Sequence, residues 1–344
     1  MLKKVLSSLI LISQCIFFVP GCEYKPSSFG DFEKIVLFAD STLYHQIRTE
    51  LEQTFDQFIY TPHSEKSFYL DLQPLKMLDT YQSRRNLLFI GLLNGQDQVS
   101  KFVNKVLSEN VRESVNKGEL FEIFREDLFA TEQEVMIFTA RDIGTLQKNL
   151  SDRKDIIFNR LNKSYFQRLE YAMFLKGEQS VIEEYLIKEY GWKIRVQHDY
   201  QIVKEAKDKS FIWFRRMNPD RCLFIYRFPI KNLDEEGLWL YHTRDSLATI
   251  YFEGDSIDRE DTYIQFVEFL GKKAKKLVGI WQNHTYYIGG PFRTYAFTDE
   301  NEKDMYLIDI SITAPGHRKK PFLDQLEVLA NSFQFVNPGN ISAK

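Results

Sequence analysis

The chain alternates between short apolar runs and stretches whose apolar positions recur at helical spacing. After Lys34 comes Ile35-Val36-Leu37-Phe38-Ala39, an unbroken apolar run that predicts a buried strand. Asp40-Ser41-Thr42 then supplies N-cap oxygens, and Leu43, Ile47, Leu51 and Phe55 follow four apart, so the strand feeds an amphipathic helix. Phe68 to Leu72 alternates as a half-buried strand does, and Asn86 to Leu93 reads as a central strand between Arg84-Arg85 and Asn94-Gly95. Val99, Phe102, Val103 and Val106 return to helical spacing, and Leu120–Arg125 and Glu134–Ala140 predict a strand pair. From Asp142 to about Leu175 the pattern is one long helix with Leu146, Leu150, Ile157, Leu161, Phe166, Leu169 and Phe174 on one side and weak points at Ser151 and Ser164.

The second half restarts with a helix over Ser180–Tyr190 that stops at Gly191, then strands at Trp192–Val196, Tyr200–Val203 and Phe211–Phe214. Asp220-Arg221-Cys222-Leu223-Phe224-Ile225 resembles Arg84-Arg85-Asn86-Leu87-Leu88-Phe89, each followed by a polar break and a helix, here around Glu236–Ile250. That likeness suggests an internal duplication, and two halves sharing only composition explain it equally well. Four short strands (Lys276–Trp281, Tyr286–Ile288, Arg293–Thr298, Met305–Ile312) and a closing amphipathic helix, Lys320–Phe333, complete the pattern. The expected fold is α+β: two helix-and-sheet halves, mostly antiparallel sheets with helices packed on one face. The expected division is 1–21 signal peptide, 22–30 flexible tether, 31–176 and 177–336 the two halves, and 337–344 a disordered tail.

The first residues change the picture. Lys3-Lys4, an apolar stretch from Val5 to Val19 and then Pro20-Gly21-Cys22 have the layout of a secretory signal, and the apolar stretch falls short of the ~20 residues a membrane-crossing helix needs. Val19-Pro20-Gly21-Cys22 resembles the bacterial lipobox, with a small residue before the cysteine that would carry the lipid; Pro20 is an unusual occupant. Two or three acyl chains would hold firmly where one is marginal. Cleavage before Cys22 shifts the formal charge from −3 to −5, which argues against nucleic acid as a partner. With Cys15 removed and Cys22 acylated, only Cys222 remains, in an apolar strand-like run where a buried inert thiol is expected.

Arg85-Asn86-Leu87-Leu88-Phe89-Ile90, Leu240 to Ser246, Gly279-Ile280-Trp281 with Ile288-Gly289-Gly290-Pro291-Phe292, and Arg318-Lys319-Lys320 with Gln325-Leu326-Glu327 occur in an order that resembles the uncharacterised lipoprotein family called domain of unknown function 4837, over nearly all of the mature chain. The resemblance implies an envelope lipoprotein of Bacteroidetes-like bacteria, placed at the outer membrane, with no assigned activity and no catalytic residues to carry over.

Chemistry is sparse. The six histidines show no metal-site spacing, and there is no Gly-x-Ser-x-Gly elbow or phosphate-cradling loop. No catalytic residue, metal or cofactor is assigned. The acidic run Glu253–Asp261 lacks the register of a calcium loop and reads as solvated. Gly289-Gly290-Pro291-Phe292-Arg293, with Trp281, Tyr286 and Tyr287 around it, combines backbone freedom with aromatics and an arginine, the composition of an interaction surface. Arg244-Asp245 and Arg318-Lys319-Lys320 read chiefly as solvated faces, the former otherwise an ion pair at a helix and the latter a helix N-terminal turn near lipid headgroups or a charged partner. The expected function is a lipid-anchored, non-enzymatic envelope module binding a protein or a glycan. The alternative is an envelope hydrolase using dispersed carboxylates such as Asp245 and Glu253.

Overall fold

The structure is a computed structural model, and it describes residues 25–336 apart from 62, 232, 300 and 302. Cys22, the expected signal peptide and the expected tail lie outside the described residues.

In the first half the order is β1 (Lys34–Phe38), α1 (Ser41–Phe55), a small hairpin of β2 (Phe58–Ile59) and β3 (Glu65–Lys66), β4 (Tyr69–Gln73), α2 (Leu78–Tyr81), β5 (Asn86–Leu92), α3 (Gln98–Val106), α4 (Glu109–Asn116), β6 (Glu122–Glu126), β7 (Glu134–Ala140) and α5 (Ile143–Phe174). The sheet order is β4-β1-β5-β7-β6; β1 pairs in parallel with β4 and β5, β5 with β7, and only β6 runs antiparallel. Parallel neighbours need crossover helices, and these fall on both faces of this sheet rather than one. Ile35, Leu37, Leu88, Ile90, Met136 and Phe138 face α1 and α5. Val36, Phe38, Leu87, Phe89, Val135 and Ile137 face α3 through Val99 and Val103. That two-sided burial is why these strands read as continuous apolar runs.

Asp142 caps α5, its carboxylate accepting from the Thr145 backbone N–H at 2.9 Å. The helix runs unbroken past Ser151 and Ser164; Ser164 donates instead to the Glu134 carboxylate at 2.5 Å.

The second half contains α6 (Ser180–Tyr190), β8 (Trp192–Lys193), β9 (Gln201–Ala206), β10 (Phe211–Arg216), β11 (Asp220–Pro229), α7 (Trp239–Tyr251), β12 (Ser256–Ile257), β13 (Tyr263–Phe269), β14 (Lys272–Asn283), β15 (Ile288–Thr298), β16 (Asp304–Thr313), α8 (Lys320–Asn331) and β17 (Gln334–Phe335). Eight strands form an antiparallel sheet, β12-β14-β15-β16-β11-β10-β9 with β13 beside β14. Period-two alternation splits it cleanly. Phe214, Leu223, Ile225, Tyr295, Phe297, Ile308 and Ile310 join the core that α5 and α8 cover, whereas Phe211, Phe224, Leu277, Phe292, Ala296 and Leu307 meet α7. The duplication suggested by β5 and β11 does not extend to topology, since β5 lies between parallel neighbours and β11 between antiparallel ones.

One core runs from the first sheet through α5 and α8 into the second. Tyr165 on α5 donates to Asp324 on α8 at 2.6 Å, inside that junction. The basic turn Arg318-Lys319-Lys320 is here too, not on a solvated face. The Glu65 carboxylate accepts the backbone N–H groups of Lys319 and Lys320 at 2.6 and 3.1 Å, Arg318 approaches Glu65 and Glu33 at 3.5 and 3.8 Å, and Lys320 pairs with Asp324. An acid from the first half thus satisfies the start of α8 and offsets the cost of cations there.

The expected flexible tether ends early. Ser28 N–H donates to Thr131 O at 2.9 Å, Thr131 N–H to Pro26 O at 2.9 Å, and Phe29 N–H to Ser83 O at 3.0 Å. Phe29 also lies beneath the Arg84 guanidinium, 4.3 Å from its ring centre, so residues 26–29 are docked rather than loose.

Candidate functional site

The Gly-Gly-Pro segment lies in the β14–β15 hairpin, which is one long ribbon rather than the separate short strands the pattern predicted. Asn283 organises its turn: the side-chain oxygen accepts from the backbone N–H groups of Thr285 and Tyr286 at 2.9 and 3.0 Å, and the amide donates to Asp255 at 2.7 Å. Tyr287 takes a left-handed φ of 54° at the tip. Gly290 stands opposite Trp281, and a Cβ there would lie 2.0 Å from the Ile312 carbonyl oxygen; at Gly289 it would lie 2.6 Å from that of Trp281. The glycines therefore permit close strand packing under the Trp281 indole.

Alternation then separates the residues expected to form one surface. Gly290, Pro291 and Phe292 are buried, and Phe292 sits below Arg244, with the guanidinium 4.3 Å from its ring centre. Arg293 points to the opposite sheet face and donates to Glu327 at 2.5 Å. Tyr286 and Tyr287 are exposed, and Gly289 with them.

Trp281 and Tyr286 do come together, in a cleft on the α7 side of the sheet with a cavity of about 170 Å³. Trp213 from β10, Tyr251 and Phe252 from the end of α7, and Trp281 give it aromatic walls, with Tyr286 and Ile288 at the lip. Asp255, Asn283, Ser311 and the Arg215–Asp220 pair, joined by two bonds of 2.7 Å, supply polar groups. The indole nitrogens of Trp213 and Trp281 are buried; Trp213 lies beside the Cys222 thiol and favours its ionised form, whereas Trp281 N–H has no hydrogen-bond partner. An indole donor normally finds an acceptor when buried, so Trp281 is an unmet donor within the cleft wall, beneath the surface a ligand would touch. Burial raises the Asp255 carboxyl above its ordinary value, with the Asn283 amide working against it. Burial also pushes the Cys222 thiol up to about 12, which leaves it protonated and unreactive near neutral pH.

Arg244 and Asp245 are not paired with each other. Successive helical positions face apart, so Arg244 turns inward to Asp309 at 3.3 Å while Asp245 accepts from Ile257 N–H and Arg259, each at 2.8 Å. Asp245 is thereby committed to structure, and Glu253 stands exposed beside Tyr286. Among the described residues no group of three or more His, Cys, Asp or Glu side chains is placed to hold a metal ion.

Sequence reading missed Trp213, Asp255 and Asn283, which converge from strands and turns far apart in the chain. It also missed Glu327, although a signal existed: Lys320, Asp324 and Glu327 share the buried stripe of α8 with Leu323. Charges on the apolar face of an amphipathic helix require partners there.

The fold is thus a two-half α+β protein with an aromatic cleft on the α7 side of its second sheet. Residues 179–332 match the family model described as Domain of unknown function (DUF4837), so the resemblance seen in the sequence holds for the C-terminal half. Residues 28–174 match a different model, Domain of unknown function (DUF8532), and this region includes Arg85–Ile90; the single family expected over nearly the whole mature chain gives way to two. No curated protein matches the chain. Among solved structures, a crystal structure from Bacteroides thetaiotaomicron VPI-5482 shares 6% identity at a TM-score of 0.29 over 44% of this chain and 47% of that one, less than half its length. The Ran-binding protein Mog1p of Saccharomyces cerevisiae shares 10% identity at a TM-score of 0.30, over 43% of this chain and 92% of that one. LpqN, involved in cell envelope biogenesis of Mycobacterium tuberculosis, shares 10% identity at 0.26, over 42% and 83%. Overlaps this shallow assign nothing to this chain.

Proposed function

We propose that the protein is a lipid-anchored, non-enzymatic module of the cell envelope, held at the outer membrane through Cys22, and that its aromatic cleft binds a neutral saccharide. The observation that carries the binding site is the aromatic wall of Trp213, Tyr251, Phe252 and Trp281 around one cavity that Asp255, Asn283, Arg215 and Ser311 also line. Aromatic walls suit the apolar face of a sugar ring, and the carboxylate, amide and hydroxyl groups of Asp255, Asn283 and Ser311 suit its hydroxyls. The protonated Cys222 thiol and the committed Asp245 supply no nucleophile-and-base pair. Docking of the chain from Pro26 supports a body held close to the bilayer, because three residues lie between Cys22 and Pro26 and the four Cα steps reach at most about 14 Å.

Two measurements test this. Titration of neutral envelope glycans into residues 23–344 should show saturable binding, and Trp281→Phe, which shrinks the aromatic wall a sugar ring would stack on, should weaken it about three- to tenfold. Equal binding by the variant, or none by the natural sequence, discards the cleft. Labelling with a palmitate analogue should vanish with Cys22→Ala, together with membrane association; a variant that stays labelled rules out that anchor.

A further inference from the structure

A larger cavity of about 540 Å³ lies on the opposite face of the second sheet, between α5, α8, β14 and β15. Its floor holds two cations around one acid: Arg293 donates to Glu327 from Nη1 at 2.5 Å, and Lys276 reaches the same oxygen at 3.5 Å. Their side chains are only 12% and 17% exposed, so one buried carboxylate balances just one of two nearly buried positive charges. Lys163 adds a third cation at the mouth, while the other acid of the lining, Glu170, is already paired with Arg195 at 2.5 Å. The bond to Glu327 is the one side-chain hydrogen bond Arg293 makes among the described residues, which leaves the rest of its guanidinium fork for an incoming acceptor. Phe166 and Val328 provide an apolar wall beside these donors.

We propose that this junction cavity is a second binding site, independent of the saccharide cleft, for a small organic oxyanion. Its phosphate or carboxylate group sits against Arg293 and Lys276, and its apolar body lies along Phe166 and Val328. Uncompensated charge in a low-dielectric pocket favours an anion more than the same charge in water does, and the volume suits a whole small molecule rather than a bare ion.

The probes are phenyl phosphate, benzoate and inorganic phosphate, titrated calorimetrically into residues 23–344 at constant ionic strength. Saturable binding of phenyl phosphate or benzoate is expected, with inorganic phosphate at least about tenfold weaker because it cannot use the apolar wall. Lys276→Gln, which keeps the Arg293–Glu327 bond, should weaken the organic anion about tenfold or more, and Lys163→Gln at the exposed rim about two- to threefold. If Lys276→Gln fails to fold, Lys163→Gln alone still decides. The proposal fails if neither organic anion saturates at millimolar concentration, if inorganic phosphate binds as well as phenyl phosphate, or if the folded variants bind as tightly as the natural sequence.

Discussion

Asp309 and Glu327 are acids buried against opposite faces of the same sheet, and the protein treats them differently. Burial alone would push both carboxyls up. At Asp309 burial prevails over Arg244 and the Thr294 hydroxyl, and the carboxyl is held above its ordinary range. At Glu327 the charges of Lys276 and Arg293, together with the Tyr295 hydroxyl, outweigh burial and hold it at about 2. The difference is donor count and charge, two cations and a phenol against one cation and one hydroxyl. Glu327 works as the counter-ion of a positive pocket, whereas Asp309 is a polar tie between α7 and the sheet. Within the Glu327 cluster the cations also diverge, since Lys276 is lowered by burial and Arg293 is raised by its closer contact despite burial.

The largest break in this comparison is Glu327→Gln. Removing the acid strands Lys276 and Arg293 without a counter-charge, and a broken buried pair typically costs about 3–5 kcal/mol. Urea denaturation should show a loss in that range, and a loss below about 1 kcal/mol would mean that water already screens the cluster.

Acid titration of the natural sequence comes next. Glu327 is depressed in the folded state, so its stabilising effect is complete above its ordinary 4.5 and disappears as pH falls toward about 2, an effect of roughly 3 kcal/mol. Asp309 is raised, so its ionised form opposes folding above its folded value and that opposition fades as pH drops toward 3.8. Stability measured from pH 5 to pH 2 should fall steeply in the natural sequence and nearly flatten in Glu327→Gln. An unchanged acid limb in the variant would assign the acid sensitivity to other carboxylates.

Asp309→Asn sharpens the contrast at lower cost. The amide keeps an acceptor for Arg244 and Thr294 and removes a charge that burial disfavours, but it leaves the buried Arg244 without its counter-ion, so the expected loss is about 2 kcal/mol, under that of Glu327→Gln, which strands two cations. Equal losses would erase the distinction between counter-ion and tie.

The two acids also show what the sequence could reveal. Both faces of β15 are legible from alternation, with Phe292, Thr294 and Ala296 on one side and Arg293, Tyr295 and Phe297 on the other. Strands, helices and the two halves follow from such local periods. The parallel order of the first sheet does not, because register between distant strands is settled by which faces bury together. Edge strand β13 was missed because Tyr263 and Phe266 stay largely exposed and blur its period. Trp281 and Tyr286 of the candidate surface lie within the cleft, but their partners Trp213 and Asp255 come from remote segments, and their convergence is a property of packing that no local pattern encodes.

The smallest expected effect on stability separates the two proposed binding faces. Tyr287 is 92% exposed at the hairpin tip and holds a left-handed backbone conformation that strains a bulky residue. Tyr287→Asn suits that conformation better and should raise stability by about 0.5 kcal/mol while leaving both acids untouched. Because Tyr287 lies outside the cleft lining, a saccharide confined between Trp213 and Trp281 should bind this variant as before, and an oxyanion on the Glu327 face should be equally indifferent. If glycan affinity instead falls while stability rises, the ligand reaches over the hairpin tip. A strained, solvent-facing tyrosine would then be retained for a contact that folding does not require, and the α7 face would be a docking surface for something larger than a sugar ring.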